Sequence, residues 1–326
     1  VTLENRVDVS VVIPLFNKKE VVVRAINSAL SQEFKPIEII VVDDGSTDNS
    51  VDVLSVCQSE LVRIIRQKNQ GVSAARNRGI TEALGSHIAF LDADDSWDPT
   101  FLSTLVGLIS RFPNAGAYAT GYWVVNAGKE RRCCKFSSVP ISVSGGIIEN
   151  YFKSLALGAN PVWSSAVCIP VKTFEVLGKF KQNLRLYEDL HMWMRIASCF
   201  QIAFSVNPRS TYFRDAENRA CQKVHHSDSA DALKRLVDAM VGQGVLGGKQ
   251  AFYARKIVNK YAFLTSFKAI VAGECLQARR ELVNVKIFSF FDMARFALIY
   301  TLSLLPNSIV MVVHSAGKAL KHLYSK

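Results

Sequence analysis

Three observations predict an α/β chain, a mainly parallel mixed sheet flanked by helices with a C-terminal helical region. Period-two apolar runs alternate with helix-period segments over roughly the first 112 residues. Each run stops at a proline, a glycine turn or a carboxylate cluster, which is how strands deliver loops. Beyond about residue 230 only helical spacing remains. With 326 residues and 49% apolar side chains the chain can bury a large core, so disorder is not the expectation.

The first predicted strand, 8–14, runs through Val11-Val12-Ile13 and is stopped by Pro14, which hands the chain to Leu15-Phe16-Asn17. A helix is expected over 18–32 and a second strand over 37–43, ending in Asp43-Asp44-Gly45-Ser46-Thr47-Asp48. Gly45 permits a tight turn, and Ser46, Thr47 or Asp48 can cap a helix over 48–58. A strand at 62–66 leads to Asn69-Gln70-Gly71-Val72-Ser73, a glycine turn with a serine cap for a helix at 73–84 that carries Arg76 and Arg78. The strand at 87–92 then runs into Asp92-Ala93-Asp94-Asp95, followed by a helix at 98–112.

This βαβα rhythm calls for parallel strands with ligands bound at their carboxyl ends, where Pro14, Asp43 and Asp92 fall. Three carboxylates in four residues need a counter-charge. A divalent cation holding a diphosphate supplies one, and all-oxygen ligands point to Mg²⁺ or Mn²⁺.

From 115 to 144 the pattern is strand-rich, with Ala117–Val124 and a basic turn at Lys129-Glu130-Arg131-Arg132. Asn160–Val167 leads into a short helix, and Leu186–Ile196 reads as a helix with Glu188 and Asp189 in its first turn. Further helices are expected at 232–240, 249–272 and 274–285. Phe296–Val313 holds no charged residue but is interrupted by Pro306-Asn307-Ser308. Against the roughly 20 residues a spanning helix needs, this is a marginal span. A hairpin lying in the membrane interface, flanked by Arg295, Lys318, Lys321 and Lys326, and a packed core pair are the competing expectations.

The formal charge is +11, from 39 Lys and Arg against 28 Asp and Glu. Residues 230–326 carry 14 of those cations and 5 of the anions, or +9, which leaves +2 for the rest. Such asymmetry marks an anionic partner, and without a zinc-finger, RRM or basic-zipper pattern the expectation is membrane phospholipid or a lipid-linked phosphate, not nucleic acid. Seven cysteines with no CxxC spacing read as reduced thiols, and the polar opening Val1–Asn5 is no secretory leader, so the expected location is cytoplasmic.

Four segments carry a resemblance in order and spacing: the strand ending in Pro14-Leu15-Phe16-Asn17, the Asp43-Asp44-Gly45-Ser46 turn, Gly71–Arg78, and Asp92-Ala93-Asp94. Over residues 8–215 the chain resembles glycosyltransferase family 2. The resemblance implies a Rossmann-like GT-A fold and a nucleotide-sugar donor. It implies that Asp43 accepts from a uracil imide, that Arg76 braces Asp43 and the base, and that Pro14 and Phe16 line the base pocket. Asp44 either joins that pocket or only stabilises the turn. Asp94 is implied as a Mn²⁺ or Mg²⁺ ligand, Asp92 as a ribose or metal contact, and Asp189 as the general base of an inverting transfer.

Two departures matter. The family histidine is missing after Ser210–Arg214, where Asp215-Ala216-Glu217-Asn218 follow and His225 or His226 is the expected substitute from a loop. No Gln-x-x-Arg-Trp is present, which favours single-sugar addition over polymer synthesis.

The expected organisation is a catalytic domain over 1–229, with a nucleotide-sugar half at 1–114 and an acceptor half at 115–229, followed by a basic helical tail at 230–326. The expected acceptor is a glycan or lipid-linked molecule, and the tail is expected on the inner face of the cell membrane or, alternatively, in a homo-oligomer contact. A nucleotidyltransferase and a non-catalytic nucleotide-sugar-binding scaffold are the rival readings. The first of these would show a glycine-rich basic loop after the first strand, whereas Pro14-Leu15-Phe16-Asn17-Lys18-Lys19 has no glycine.

Overall fold

The computed structural model describes residues 7–57, 59–126, 130–142, 144–184, 186–214, 229–283, 285–287 and 289–304. The chain divides into two compact units, Val1–Leu184 with Glu188–Lys223, and Arg185–Tyr187 with Val224–Lys326.

The first unit is built on β1 (Val9–Leu15), whose residues are buried on both faces apart from Pro14 at the exit. A strand covered on both sides reads as a continuous apolar run and sits centrally in a parallel sheet. It pairs in parallel with β2 (Glu38–Asp43) on one side and β4 (His87–Phe90) on the other, and β2 pairs with β3 (Val62–Arg66). The order β3-β2-β1-β4 therefore reverses direction between β1 and β4. Such a switch point opens a crevice at the strands' carboxyl ends.

Beyond β4 the sheet becomes mixed. β9 (Val167–Pro170) inserts antiparallel between β4 and β6 (Ala117–Val125), and β10 (Ile202–Phe213) pairs in parallel with β6. The short strands β5 (Ser96–Trp97), β7 (Arg132–Cys133) and β8 (Gly146–Ile147) complete it.

α1 (Val22–Leu30) buries Val22, Ala25, Ile26 and Ala29, the i, i+3, i+4, i+7 stripe that seats a helix on a sheet. α2 (Val72–Glu82) lies closer, on small residues. A Cβ at Gly79 would stand 2.3 Å from Cγ1 of Val12 in β1, so glycine is what lets the backbones approach. α3 (Phe101–Arg111), α4 (Tyr151–Leu157), α5 (Val171–Leu177) and α6 (Glu188–Cys199) come after it in chain order.

The helix expected over 48–58 is only a 3₁₀ turn at Asp52–Val56. Asn49 takes a left-handed backbone, and the β-branched Val51 and Val53 lower the helix propensity of this stretch. The strand β9 replaces the direct passage from Asn160–Val167 into a helix.

The second unit holds α7 (Ser229–Gly242), α8 (Gly248–Val271), α9 (Cys275–Leu282) and α10 (Phe290–Leu302). Phe296, Ile299 and Leu302 on one face of α10 pack with Phe263, Ile270, Ala278 and Leu282. Arg279 donates to the Ser303 carbonyl at 2.9 Å, the favourable place for a cation at a helix C-terminus. The same helix also exposes apolar side chains, with Phe291 74% and Leu298 60% accessible.

No described helix is long and apolar enough to cross a membrane, α10 having 13 residues. Pro306–Ser308, the lysines at 318, 321 and 326, and His225 and His226 lie outside the described residues.

Candidate active site

The loops leaving β1 and β2 are locked together. Asn17, with φ of 51°, donates its N–H to Ser46 Oγ at 3.1 Å and accepts from Thr47 N–H at 2.8 Å. Lys18 N–H donates to Ser50 Oγ at 2.9 Å and Lys19 N–H to Asp48 at 3.1 Å. Asp43 accepts from Ser46 N–H at 3.0 Å, which shapes the turn at Gly45, where φ is 77°. Asp44 accepts from Gln67 Nε2 at 2.8 Å, Gln70 N–H at 2.9 Å and Gly71 N–H at 2.8 Å. Both its oxygens thus hold the segment that starts α2. Pro14 is half-buried and Phe16 exposed on the same rim.

The acidic loop after β4 splits its three carboxylates. Asp95 is fully buried and accepts from Ser165 Oγ at 2.5 Å, Phe213 N–H at 3.2 Å and Trp163 Nε1 at 3.3 Å. Burial, and then the charges of Asp94 and Asp92, hold its pKa well above the usual carboxylate range. Ser165 Oγ also accepts from Asp92 N–H at 3.0 Å, so one hydroxyl ties Asp92 to Asp95.

Asp92 and Asp94 face outward, and each meets a cation. Arg76 Nη2 donates to Asp92 at 2.8 Å, and Lys18 Nζ to Asp94 Oδ2 at 2.7 Å. Arg24 reaches the Asp94 carbonyl at 2.5 Å while its guanidinium lies 3.7 Å from the Phe213 ring centre.

Arg76 joins the two halves of the site. It is 3% exposed and gives its other nitrogen, Nη1, to Glu188 at 2.9 Å. The brace on Asp43 expected from the sequence is therefore replaced by one between Asp92 and the start of α6. Burial works against the Arg76 charge, but Asp92 and Glu188 outweigh it and keep the guanidinium protonated. Burial, reinforced by repulsion from Asp189, pushes Glu188 up to about 7 against the pull of Arg76. Burial also raises Asp189, opposed by Arg76 and by hydrogen bonds from Leu190 N–H at 2.6 Å and Ser164 Oγ at 3.4 Å.

Asp92, Arg76, Glu188 and Asp189 therefore form one connected group, joined to Asp94 through the acidic loop. Asp43, Asp44, Pro14 and Phe16 stand on the neighbouring strand ends. Sequence reasoning missed Lys18, Arg24, Asp95, Ser164 and Ser165 as members of the site. The charge of Asp92–Asp95 was a signal for Lys18 and Arg24, since such a cluster needs cations from somewhere. Nothing in the spacing announced Ser164 and Ser165. Among the described residues no group of three or more His, Cys, Asp or Glu side chains is placed to hold a metal ion, so Asp92 and Asp94 offer a partial set of hard oxygen donors.

A family model described as glycosyl transferase family 2 matches residues 10–154. A cholesterol galactosyltransferase of Borreliella burgdorferi is 38% identical over 277 residues, 80% of this chain and 75% of that protein. WfaP of Escherichia coli, a UDP-Glc:alpha-D-GlcNAc-diphosphoundecaprenol beta-1,3-glucosyltransferase, is 29% identical over 231 residues, 70% of this chain and 82% of the other. A glycosyltransferase of Rickettsia felis is 32% identical over 194 residues, covering 58% of this chain and 30% of its own length. Several curated relatives are thus matched over less than a third of their length. The crystal structure of S. aureus TarS 1–349 in complex with UDP-GlcNAc has the same fold, with a TM-score of 0.69 at 15% identity over 91% of this chain and 90% of that one.

Proposed function

Because this chain belongs to glycosyltransferase family 2, we propose that it transfers one sugar from a nucleotide-diphosphate sugar, UDP being favoured, to a glycan or lipid-linked acceptor at a membrane surface. The observation that carries the reading is the double ion pair of Arg76. It holds the acidic donor loop against the first turn of α6, so a leaving-group site and a base meet in one crevice. UDP appears in the name of WfaP and in that of the TarS complex, which supports a uridine donor. The names of two relatives give an acceptor, cholesterol in one and a diphosphoundecaprenol-linked sugar in the other, and both support a lipid-bearing acceptor.

In this reading Asp43 accepts from the uracil imide, with Pro14 and Phe16 beside the base, and Asp44 serves the pocket by fixing residues 67–71. Asp92 and Asp94 fit Mn²⁺ or Mg²⁺ in chemistry. Both are carboxylates, both are partly exposed, and the ion pair of each engages one of its two oxygens. Bound there, the ion would neutralise the charge of the departing diphosphate. Asp95 works at one remove, anchoring the loop to Trp163, Ser165 and Phe213.

Asp189 takes the proton of the acceptor hydroxyl as it attacks. Its raised pKa makes it a stronger base than an ordinary surface carboxylate. Attack opposite the diphosphate inverts the anomeric centre. Residues 1–229 form the catalytic part, and the basic tail at 230–326 attaches it peripherally to the inner face of the membrane.

Calorimetry of UDP with Mn²⁺ tests the donor site. Asp94→Asn is expected to abolish metal-dependent binding, and unchanged affinity would move the ion elsewhere. UDP release from a panel of UDP-sugars over vesicles carrying lipid alcohols or lipid-linked sugars then identifies the reaction.

A further inference from the structure

Lys18 has no part in the proton transfer or in base recognition, yet it pairs with Asp94 in the acidic loop. Its ammonium sits 2.7 Å from Asp94 Oδ2, with side chains only 12% and 14% exposed, so water and salt screen the pair weakly. Its backbone cannot drift, because Lys18 N–H is bonded to Ser50 Oγ and the preceding Asn17 is bonded to Ser46 and Thr47. The side chain spans the switch-point crevice from the loop after β1 to the loop after β4.

A divalent ion at Asp94 and an ammonium on the same carboxylate would repel each other. One must yield when the other arrives. The lysine stem is flexible and its anchor rigid, so the ammonium swings while the loop stays in place. The anionic group that enters with the donor is its diphosphate, whose oxygens would lie against the ion and within the sweep of Lys18. A compact ammonium suits phosphate oxygens as a point charge.

We propose that Lys18 is the resident counter-cation of Asp94 and, once a divalent ion takes that carboxylate, a ligand of the donor diphosphate. This rests on the reading of Asp94 as the metal ligand. It implies that ion and donor load together: the free site carries its own cation and resists Mn²⁺ alone, whereas the diphosphate gives the displaced ammonium a new partner.

Two titrations of the full chain test it. One is Mn²⁺ without nucleotide, followed through the paramagnetic resonance of free Mn²⁺. The other is UDP at saturating Mn²⁺, followed by calorimetry. Lys18→Met keeps the stem and removes the charge. It is expected to bind Mn²⁺ alone on the order of tenfold more tightly and UDP with Mn²⁺ on the order of tenfold more weakly. Lys18→Arg, which keeps the charge, should stay within a few-fold of the parent in both, as a check on folding.

Unchanged Mn²⁺ affinity in Lys18→Met overturns the counter-cation role, and unchanged UDP affinity overturns the diphosphate role. Asp94→Asn separates the Lys18 proposal from the metal-site reading beneath it. If it binds Mn²⁺ and UDP like the parent, the metal-site reading fails. If it loses both while Lys18→Met behaves as the parent, only the Lys18 proposal fails.

Discussion

Arg76 has both terminal nitrogens committed, one to Asp92 and one to Glu188, with its guanidinium 5.5 Å from the Phe180 ring centre and almost no solvent contact. Cutting a buried ion pair on one side leaves an uncompensated charge, so the group is sensitive to neutral substitution. Asp189 lies within the field of Arg76, and its side chain accepts from Leu190 N–H and, at longer range, from Ser164 Oγ. Asp189→Asn should therefore keep UDP binding while transfer falls on the order of 10²-fold or more, because a lost base acts on the chemical step. Single-turnover transfer and UDP calorimetry on the same preparation separate the two effects, and near-normal transfer by a folded variant would remove Asp189 as the base.

Glu188 makes the pH dependence readable. Its carboxyl is raised to about 7, above the roughly 4.3 of a free glutamate, by burial and by the charge of Asp189, and Asp189 is itself raised by burial. The acid limb of transfer should thus lie nearer neutrality than for an isolated aspartate. In Glu188→Gln it should stay close to that of the parent, because burial and not Glu188 is what raises Asp189. For stability, a raised carboxyl binds its proton more tightly in the folded state, so folding loses stability as pH rises from about 4.3 towards 7. Melting temperatures across that window should fall less in Glu188→Gln than in the parent. An acid limb that moves in Glu188→Gln would mean that Glu188, not Asp189, controls it.

At the scale of elements, α2 delivers Arg76, and its seat is set three residues further on. A Cβ at Gly79 would meet Val12 Cγ1 at 2.3 Å and Cγ2 at 2.9 Å. Gly79→Ala should destabilise the fold by about 1–3 kcal/mol through overpacking. Adding Val12→Ala should recover part of that, a coupling that a urea double-mutant cycle reads directly. Independent costs at the two positions would show that α2 gives way instead.

What was legible at this scale depends on chain locality. β1 and β2 announce themselves because both faces are buried and their runs are almost wholly apolar, and Gly45 and Gly71 announce turns because both need positive φ. β9 did not, being four residues long and held between β4 and β6, partners far away in sequence. The same holds within the site. Asp92, Asp94 and Asp189 carry a motif, but the partner of Arg76 in α6 is 112 residues away, and no spacing encodes that contact. Lys18 and Asp94 meet only because the order β3-β2-β1-β4 brings two loops to one crevice.

At the scale of the whole molecule, charge and exposed apolar surface are both concentrated in the second unit. Residues 230–326 carry a formal +9 of the total +11. α10 leaves Phe291 and Leu298 exposed on one flank of its buried stripe and Met293 and Tyr300 on the other, while Phe296 and Ile299 fill the unit's own core. A 13-residue helix spans about 20 Å, too little for a bilayer, so attachment by these exposed side chains means lying in the interface. Each basic residue near anionic lipid adds about 1 kcal/mol, a contribution that salt weakens, whereas buried aromatic and leucine side chains contribute independently of salt. The full chain should therefore float with anionic vesicles, less so at high salt but not to zero. Phe291→Ser with Leu298→Ser, two substitutions at exposed positions that leave the inner face of α10 intact, should bring flotation at high salt close to that in lipid-free controls. Equal flotation of parent and variant would free the Phe291 and Leu298 flank of any role in lipid binding and leave it as a contact for a second copy of the chain, which sedimentation of the same two proteins would reveal.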